Sequence, residues 1–143
     1  MQPKTATVLD DVKVHVKMKL SALWVAVMLC YIYGDFFGLF QAGQLEEMIA
    51  GKTPLGPTTQ GKLLGFAIMM AIPSVMVFLS LALKPKANRW TNIILGAIYT
   101  MIMLMTMPGA WTFYIFLGMI EVVLTALIVW YAWNWPSSSG SER

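Results

Sequence analysis

Glu121 stands in the middle of an apolar stretch, Ala110 to Trp135, that is long enough to cross a bilayer and contains no basic residue. An acid near the hydrocarbon centre costs roughly 2.5 to 3.5 kcal/mol on insertion scales, so such residues face a bundle interior or a wet cavity and mark function. Buried without a cationic partner, it is expected in its neutral form, able to donate a hydrogen bond to a tyrosine or a ligand. Helical spacing gives it company. Tyr114, Gly118, Glu121 and Thr125 recur at intervals of three and four and form one stripe, whereas Phe116, Ile120, Val123, Leu127 and Trp130 line the opposite, lipid-directed face. Asn92, Gly96, Tyr99 and Met103 share a face in the preceding run, and Tyr31, Asp35 and Gly38 share one in the first. At a rise of about 1.5 Å per residue, Glu121 lies roughly 15 Å from the outer surface, level with Tyr31, Tyr99 and Pro73, and Asp35 lies only about 7 to 8 Å down. The expected site is therefore a polar core of Tyr31, Asp35, Tyr99 and Glu121, open to ligand binding or proton exchange.

Other chemistries find no footing. No nucleophile with an adjacent base, metal-ligand cluster or phosphate-binding loop is visible, so no catalytic residue, metal or cofactor is expected. His15 is the only histidine, which excludes a bis-histidine haem within one chain, and it reads as an interfacial residue beside lysines. Cys30 is the only cysteine, so no intramolecular disulfide can form. Met101, Met103, Met105 and Met107 suggest soft ligands for Cu(I). Residues two apart point to different faces of a helix, however, which favours the reading of methionine as adaptable packing.

The elements that must position these residues follow from composition. With 58% hydrophobic and 12% charged residues and a mean hydropathy of +0.67, the chain is far more apolar than a soluble domain, in which about 25% of residues are charged. Four apolar windows, Leu20 to Phe40, Leu63 to Leu83, Trp90 to Met107 and Ala110 to Trp135, approach the roughly 20 residues a spanning helix needs. Continuous apolarity argues for helices over barrel strands. The expected fold is all-α: a four-helix membrane bundle at 20–135, an interfacial amino-terminal segment at 1–19 and a disordered tail at 136–143. The alternation from Val12 to Lys19 fits a strand by period but is read as a helix entering the membrane, since a strand has no partner there. The run is too long, and too poor in small residues spaced for cleavage, to be a cleavable signal.

Lys4, Lys13, Lys17, Lys19, Lys84, Lys86, Arg89 and Arg143 lie on one side of the windows, and only Lys52 and Lys62 on the other, which places both termini in the cytoplasm. The net charge of +3 reflects this topology and contact with anionic lipid, and charges so few and dispersed make no nucleic-acid footprint. Gly34 with Gly38 and Gly61 with Gly65 have the spacing of close helix packing, within the bundle or in a homo-oligomer. Pro73 frees the carbonyl of Met69, with Ser74 on hand to satisfy exposed backbone. The segment from Gln41 to Gly61 is a short amphipathic start followed by turn residues, placed to cover the outer opening. Pro108 and Gly109 force the last two windows to be antiparallel neighbours, which brings Tyr99 and Glu121 within reach of each other. Trp111 marks the outer interface, and Trp130, Trp133 and Trp135 the inner one.

The runs KLSALW (19–24), AIPSVMVFLSLALKP (71–85), NRWTNIILG (88–96) and IVWYAWNWP (128–136) resemble a family of small four-span bacterial membrane proteins of unknown function. The resemblance covers nearly the whole chain and implies a multi-pass protein of the bacterial inner membrane, with no activity to transfer. A looser architectural likeness to DoxX-like four-helix membrane proteins implies association with a quinone. Small multidrug transporters also have four spans and a membrane glutamate, a likeness of architecture alone. Two readings of function stand side by side. In one, the acidic pocket binds or transports a small lipophilic or cationic ligand with proton exchange. In the other, the chain is an accessory or assembly subunit in which Glu121 hydrogen-bonds Tyr99 and locks the helices.

Overall fold

The computed structural model describes residues 12–53 and 55–136. The amino-terminal residues 1–11 and the tail at 137–143, expected to be disordered, lie outside them. Four long helices carry the fold: α1 (Val16–Gly38), α3 (Gln60–Ala82), α4 (Pro85–Thr106) and α5 (Thr112–Trp133). Between the first two lie a short helix α2 (Gln44–Ile49) and two paired strands, β1 (Lys52–Thr53) and β2 (Gly56–Pro57). This antiparallel pair departs from the all-α expectation, and it forms where Gly51 and Gly56 adopt positive φ and Thr53 Oγ1 donates to the Gly56 carbonyl at 2.7 Å.

Helix α1 begins four residues before its apolar window. The extended His15 caps it, its Nδ1 accepting from the Lys17 amide at 3.2 Å, so Lys17 and Lys19 belong to the helix. Both lysines reach neighbouring helices. Lys17 Nζ donates to the carbonyls of Leu81 (3.1 Å) and Leu83 (2.7 Å), closing the carboxyl end of α3, and Lys19 Nζ lies 5.1 Å from the centre of the Tyr131 ring. Thr59 caps α3, and Pro85 occupies the first turn of α4, where its missing N–H removes nothing. Between α4 and α5 the turn at Pro108–Gly109 closes with Gly109 at φ 78°.

Three of the helices, α1, α3 and α5, are long and apolar enough to cross a membrane. Helix α4 has 22 residues but carries Asn88, Arg89 and Asn92 near its start, which sets it apart from the other three. Sequence spacing anticipated the faces well. Asn92, Gly96, Tyr99 and Met103 of α4 and Gly118, Glu121 and Thr125 of α5 are buried, while Phe116, Val123 and Trp130 are exposed. Trp111, Trp130 and Trp133 are also exposed, but Trp135 packs against the core and the His15 ring instead of anchoring outward.

Around the bundle the order is α3, α1, α5, α4, and α3 meets α4 sparsely although the two are consecutive. Two glycines let α4 and α5 close up. A Cβ at Gly96 would lie 2.9 Å from Val129 Cγ2 and 3.3 Å from the Thr125 carbonyl oxygen, and one at Gly118 would lie 2.9 Å from Met103 Sδ. The paired glycines of α1 and α3 do no such work within the chain: Gly38, Gly61 and Gly65 face open space, and Gly34 meets only Leu117 at 3.9 Å.

At the end of the bundle that holds the termini, a buried polar network fastens three helices. Trp24 Nε1 of α1 donates to Asn92 Oδ1 of α4 at 2.7 Å, and Ser80 Oγ of α3 donates to the same oxygen at 3.4 Å. Asn92 Nδ2 donates to Asn88 Oδ1 at 2.6 Å, and Asn88 Nδ2 donates to the Ser80 carbonyl. Ser21 Oγ adds a bond to the Val77 carbonyl at 2.8 Å. Where lipid supplies no water, each such interhelical bond is worth about 0.6 to 2 kcal/mol.

Asn92→Ala is expected to lower the midpoint of thermal unfolding in detergent, because it strands the Trp24 N–H and costs about 1 to 3 kcal/mol. Gly96→Ala should destabilise more than Gly118→Ala in the same assay. The first methyl meets the stiff β-branched Val129 at 2.9 Å with a helix carbonyl at 3.3 Å behind it, whereas the second meets a methionine that can turn aside.

Candidate functional site

Beyond this fastened end the bundle opens. The half of α3 that precedes Pro73 buries no residue completely, and all three buried residues of that helix, Pro73, Met76 and Ser80, lie at or after the proline. The loop-side half instead lines a cavity of about 830 Å³, with further walls from α1, α4 and α5 and a rim that includes Gln44, Met48 and Lys52. That volume suits a small ligand, for which sites run about 300 to 1,000 Å³. The segment expected over the opening is thus part of the cavity wall.

The floor is built around Pro73. Lacking an N–H, the proline leaves the Met69 carbonyl without its helical partner. The Tyr99 hydroxyl, reaching across from α4, donates to that carbonyl. Ser74 Oγ satisfies a different carbonyl, that of Met70, at 2.9 Å. The Tyr99 ring is wedged edge-on between Trp24 below, with centroids 5.9 Å apart, and Tyr31 above, at 6.3 Å. One aromatic side chain therefore joins the polar network to the cavity.

All four residues expected in the polar core, Tyr31, Asp35, Tyr99 and Glu121, line this cavity. Their arrangement differs from the expected one in one respect: Tyr99 does not pair with Glu121, because the carbonyl freed by Pro73 takes its hydroxyl. Asp35, read as lying nearer the outer surface, is exposed, and Glu121 is 3% exposed, so the two acids sit at different degrees of enclosure in one cavity.

Glu121 Oε2 is buried and makes no hydrogen bond among the described residues. Of the hydroxyls around it, that of Tyr31 in the same cavity wall makes no hydrogen bond among the described residues, and the others are committed elsewhere. Thr125 Oγ1 donates back to the Glu121 backbone carbonyl at 2.8 Å and lies 2.6 Å from Thr100 Oγ1, and the Tyr114 hydroxyl donates to Thr106 at 3.0 Å. A buried acceptor left without a donor forgoes about 1 to 3 kcal/mol. The remaining lining is largely apolar and includes Phe66, Ile102 and Leu117.

The methionine ladder divides as helical geometry requires. Met101 and Met105 are exposed, while Met103 and Met107 pack over Gly118. Sequence reasoning missed the role of Trp24 and its link to Asn92. The signal was present in Ser21, Ser80, Asn88 and Asn92, polar residues that all fall near the same end of their apolar helices.

Tyr99→Phe should lower thermal stability by about 1 to 3 kcal/mol, since it leaves the Met69 carbonyl unpaired inside an apolar bundle. The loss is read as a fall in unfolding midpoint relative to wild type in the same detergent, and an unchanged midpoint would remove the bond from the framework.

No curated protein and no solved structure matches the chain, so the looser DoxX-like likeness has no counterpart among the comparisons. A family model does match, over residues 10–141. The four quoted runs all fall inside that span, as do both acids and the whole cavity wall. The chain belongs to the family of unknown function DUF6326.

Proposed function

We propose that this chain is a multi-pass protein of the bacterial inner membrane, with α4 as a fourth span and both termini in the cytoplasm. Its cavity binds or transports a small lipophilic or cationic ligand, with proton exchange at Glu121. The observation that carries this reading is the buried, unpartnered Oε2 of Glu121 in the wall of a ligand-sized cavity. An acid held inside apolar helices without a partner has a cost that packing alone does not offset. The positive-inside distribution of lysines and arginines supports the orientation.

The accessory-subunit reading draws on a different observation, the glycines of α3 that face open space and could admit a neighbouring helix or a second copy. It leaves Glu121 unexplained, because among the described residues no hydrogen bond ties its buried Oε2 to another helix.

Glu121→Gln is expected to abolish proton-coupled ligand uptake in liposomes while changing thermal stability by less than about 1 kcal/mol. Retained uptake together with lost stability would assign the residue to packing and sink the transport reading. Orientation has its own check. In a Cys30→Ser background, Thr58→Cys on the exposed loop should react with a membrane-impermeant maleimide added outside intact spheroplasts, and protection of that cysteine until lysis would reverse the topology.

A further inference from the structure

We infer that the cavity takes an amine: an elongated apolar molecule whose ammonium N–H groups reach Glu121 Oε2. The inference rests on the binding reading above and narrows it by a census of donors and acceptors. Of the tyrosine hydroxyls in the cavity wall, those of Tyr99 and Tyr114 already donate, to Met69 and to Thr106, and that of Tyr31 makes no hydrogen bond among the described residues. Beside them stands the unpartnered Glu121 carboxyl. A ligand acceptor would find the Tyr31 hydroxyl and the carboxyl proton as donors, but only an ammonium adds a charge that the two carboxylates of the wall complement.

Charge and shape point the same way. Both acids of the membrane-level wall are in this cavity, Glu121 enclosed and Asp35 exposed, and among the described residues the one basic residue lining it is Lys52, in the strand pair at the rim. A cation thus meets carboxylates at two stations. The Tyr31 and Tyr99 rings lie in the same wall, and aromatic faces attract desolvated cations. The tail of the ligand would lie against Met48, Met69, Met70 and Met103, flexible side chains that adapt to varied apolar shapes.

The chemistry balances within the site. An amine that arrives through lipid in its uncharged form takes the proton of the Glu121 carboxyl, so R–NH₂ and –COOH become R–NH₃⁺ and –COO⁻ with no further reactant. Release reverses the transfer. The resulting pair is charge-assisted and enclosed, the setting in which such hydrogen bonds are strongest.

The experiment uses the full chain in phosphatidylcholine nanodiscs, with n-decylamine, 1-decanol and decanoic acid as probes of equal tail and different head. Binding is measured by calorimetry and corrected against empty nanodiscs. Decylamine should bind about tenfold or more tightly than decanol, decanoic acid should bind weakest, and Glu121→Gln should erase the preference of amine over alcohol. Because that preference is read first in the wild-type protein, a poorly folding variant does not blur the outcome. Equal saturable binding of amine and alcohol would overturn the amine assignment while leaving a ligand cavity in place. No saturable binding of any probe would overturn the assignment and count against the binding function itself.

Discussion

The bond from the Tyr99 hydroxyl to the Met69 carbonyl stands at the junction between the fastened end of the bundle and its cavity. A proline inside an apolar helix removes one N–H and orphans one carbonyl, and lipid offers nothing to replace the donor. Here the replacement comes from the neighbouring helix. It ties α3 to α4 at the level where the two diverge, and it fixes the Tyr99 ring between Trp24 and Tyr31. The defect in one helix thereby sets the position of the cavity floor.

Above and below that floor, similar side chains meet opposite fates. On the terminal side Asn88, Asn92, Ser80 and Trp24 bond one another into a polar cluster that acts as a rivet, with Arg89 Nε beside it buried and unpartnered among the described residues. On the loop side Glu121 Oε2 has no partner among the described residues, and the helices stand far enough apart to leave a cavity of about 830 Å³. The difference lies in spacing. Gly96 and Gly118 bring α4 hard against α5 on one flank, while the half of α3 before Pro73 finds no comparable close approach on the other.

Much of this was legible in the sequence because helical period and depth are properties of single helices. The stripes Asn92–Gly96–Tyr99–Met103 and Gly118–Glu121–Thr125 are buried as their spacing requires, and the freed Met69 carbonyl follows from Pro73 alone. Partner choice was not legible. Whether Tyr99 meets Glu121 or Met69 depends on the mutual rotation and axial offset of α3, α4 and α5, and spacing within one helix is silent on both. The same limit hid the Trp24–Asn92 bond, which joins residues 68 positions apart. The helix read for the stretch before Leu20 is present from Val16 onward, beyond the apolar window that ends at the lysines, and Lys17 finds carbonyls on α3.

Helix α4 differs from its neighbours in apolarity, and this bears on how the chain comes to be inserted. Its Asn92 Oδ1 and Asn88 Nδ2 find their partners on α1 and α3, both of which precede it in the chain. The Pro108–Gly109 turn then joins it to α5, which has the highest mean apolarity of the four long helices. During synthesis, then, the least apolar helix emerges after the partners of its asparagines and immediately before its most lipophilic neighbour. On the proposed four-span topology it enters the bilayer as one arm of a hairpin, received by a scaffold already in place and drawn in by the arm that follows.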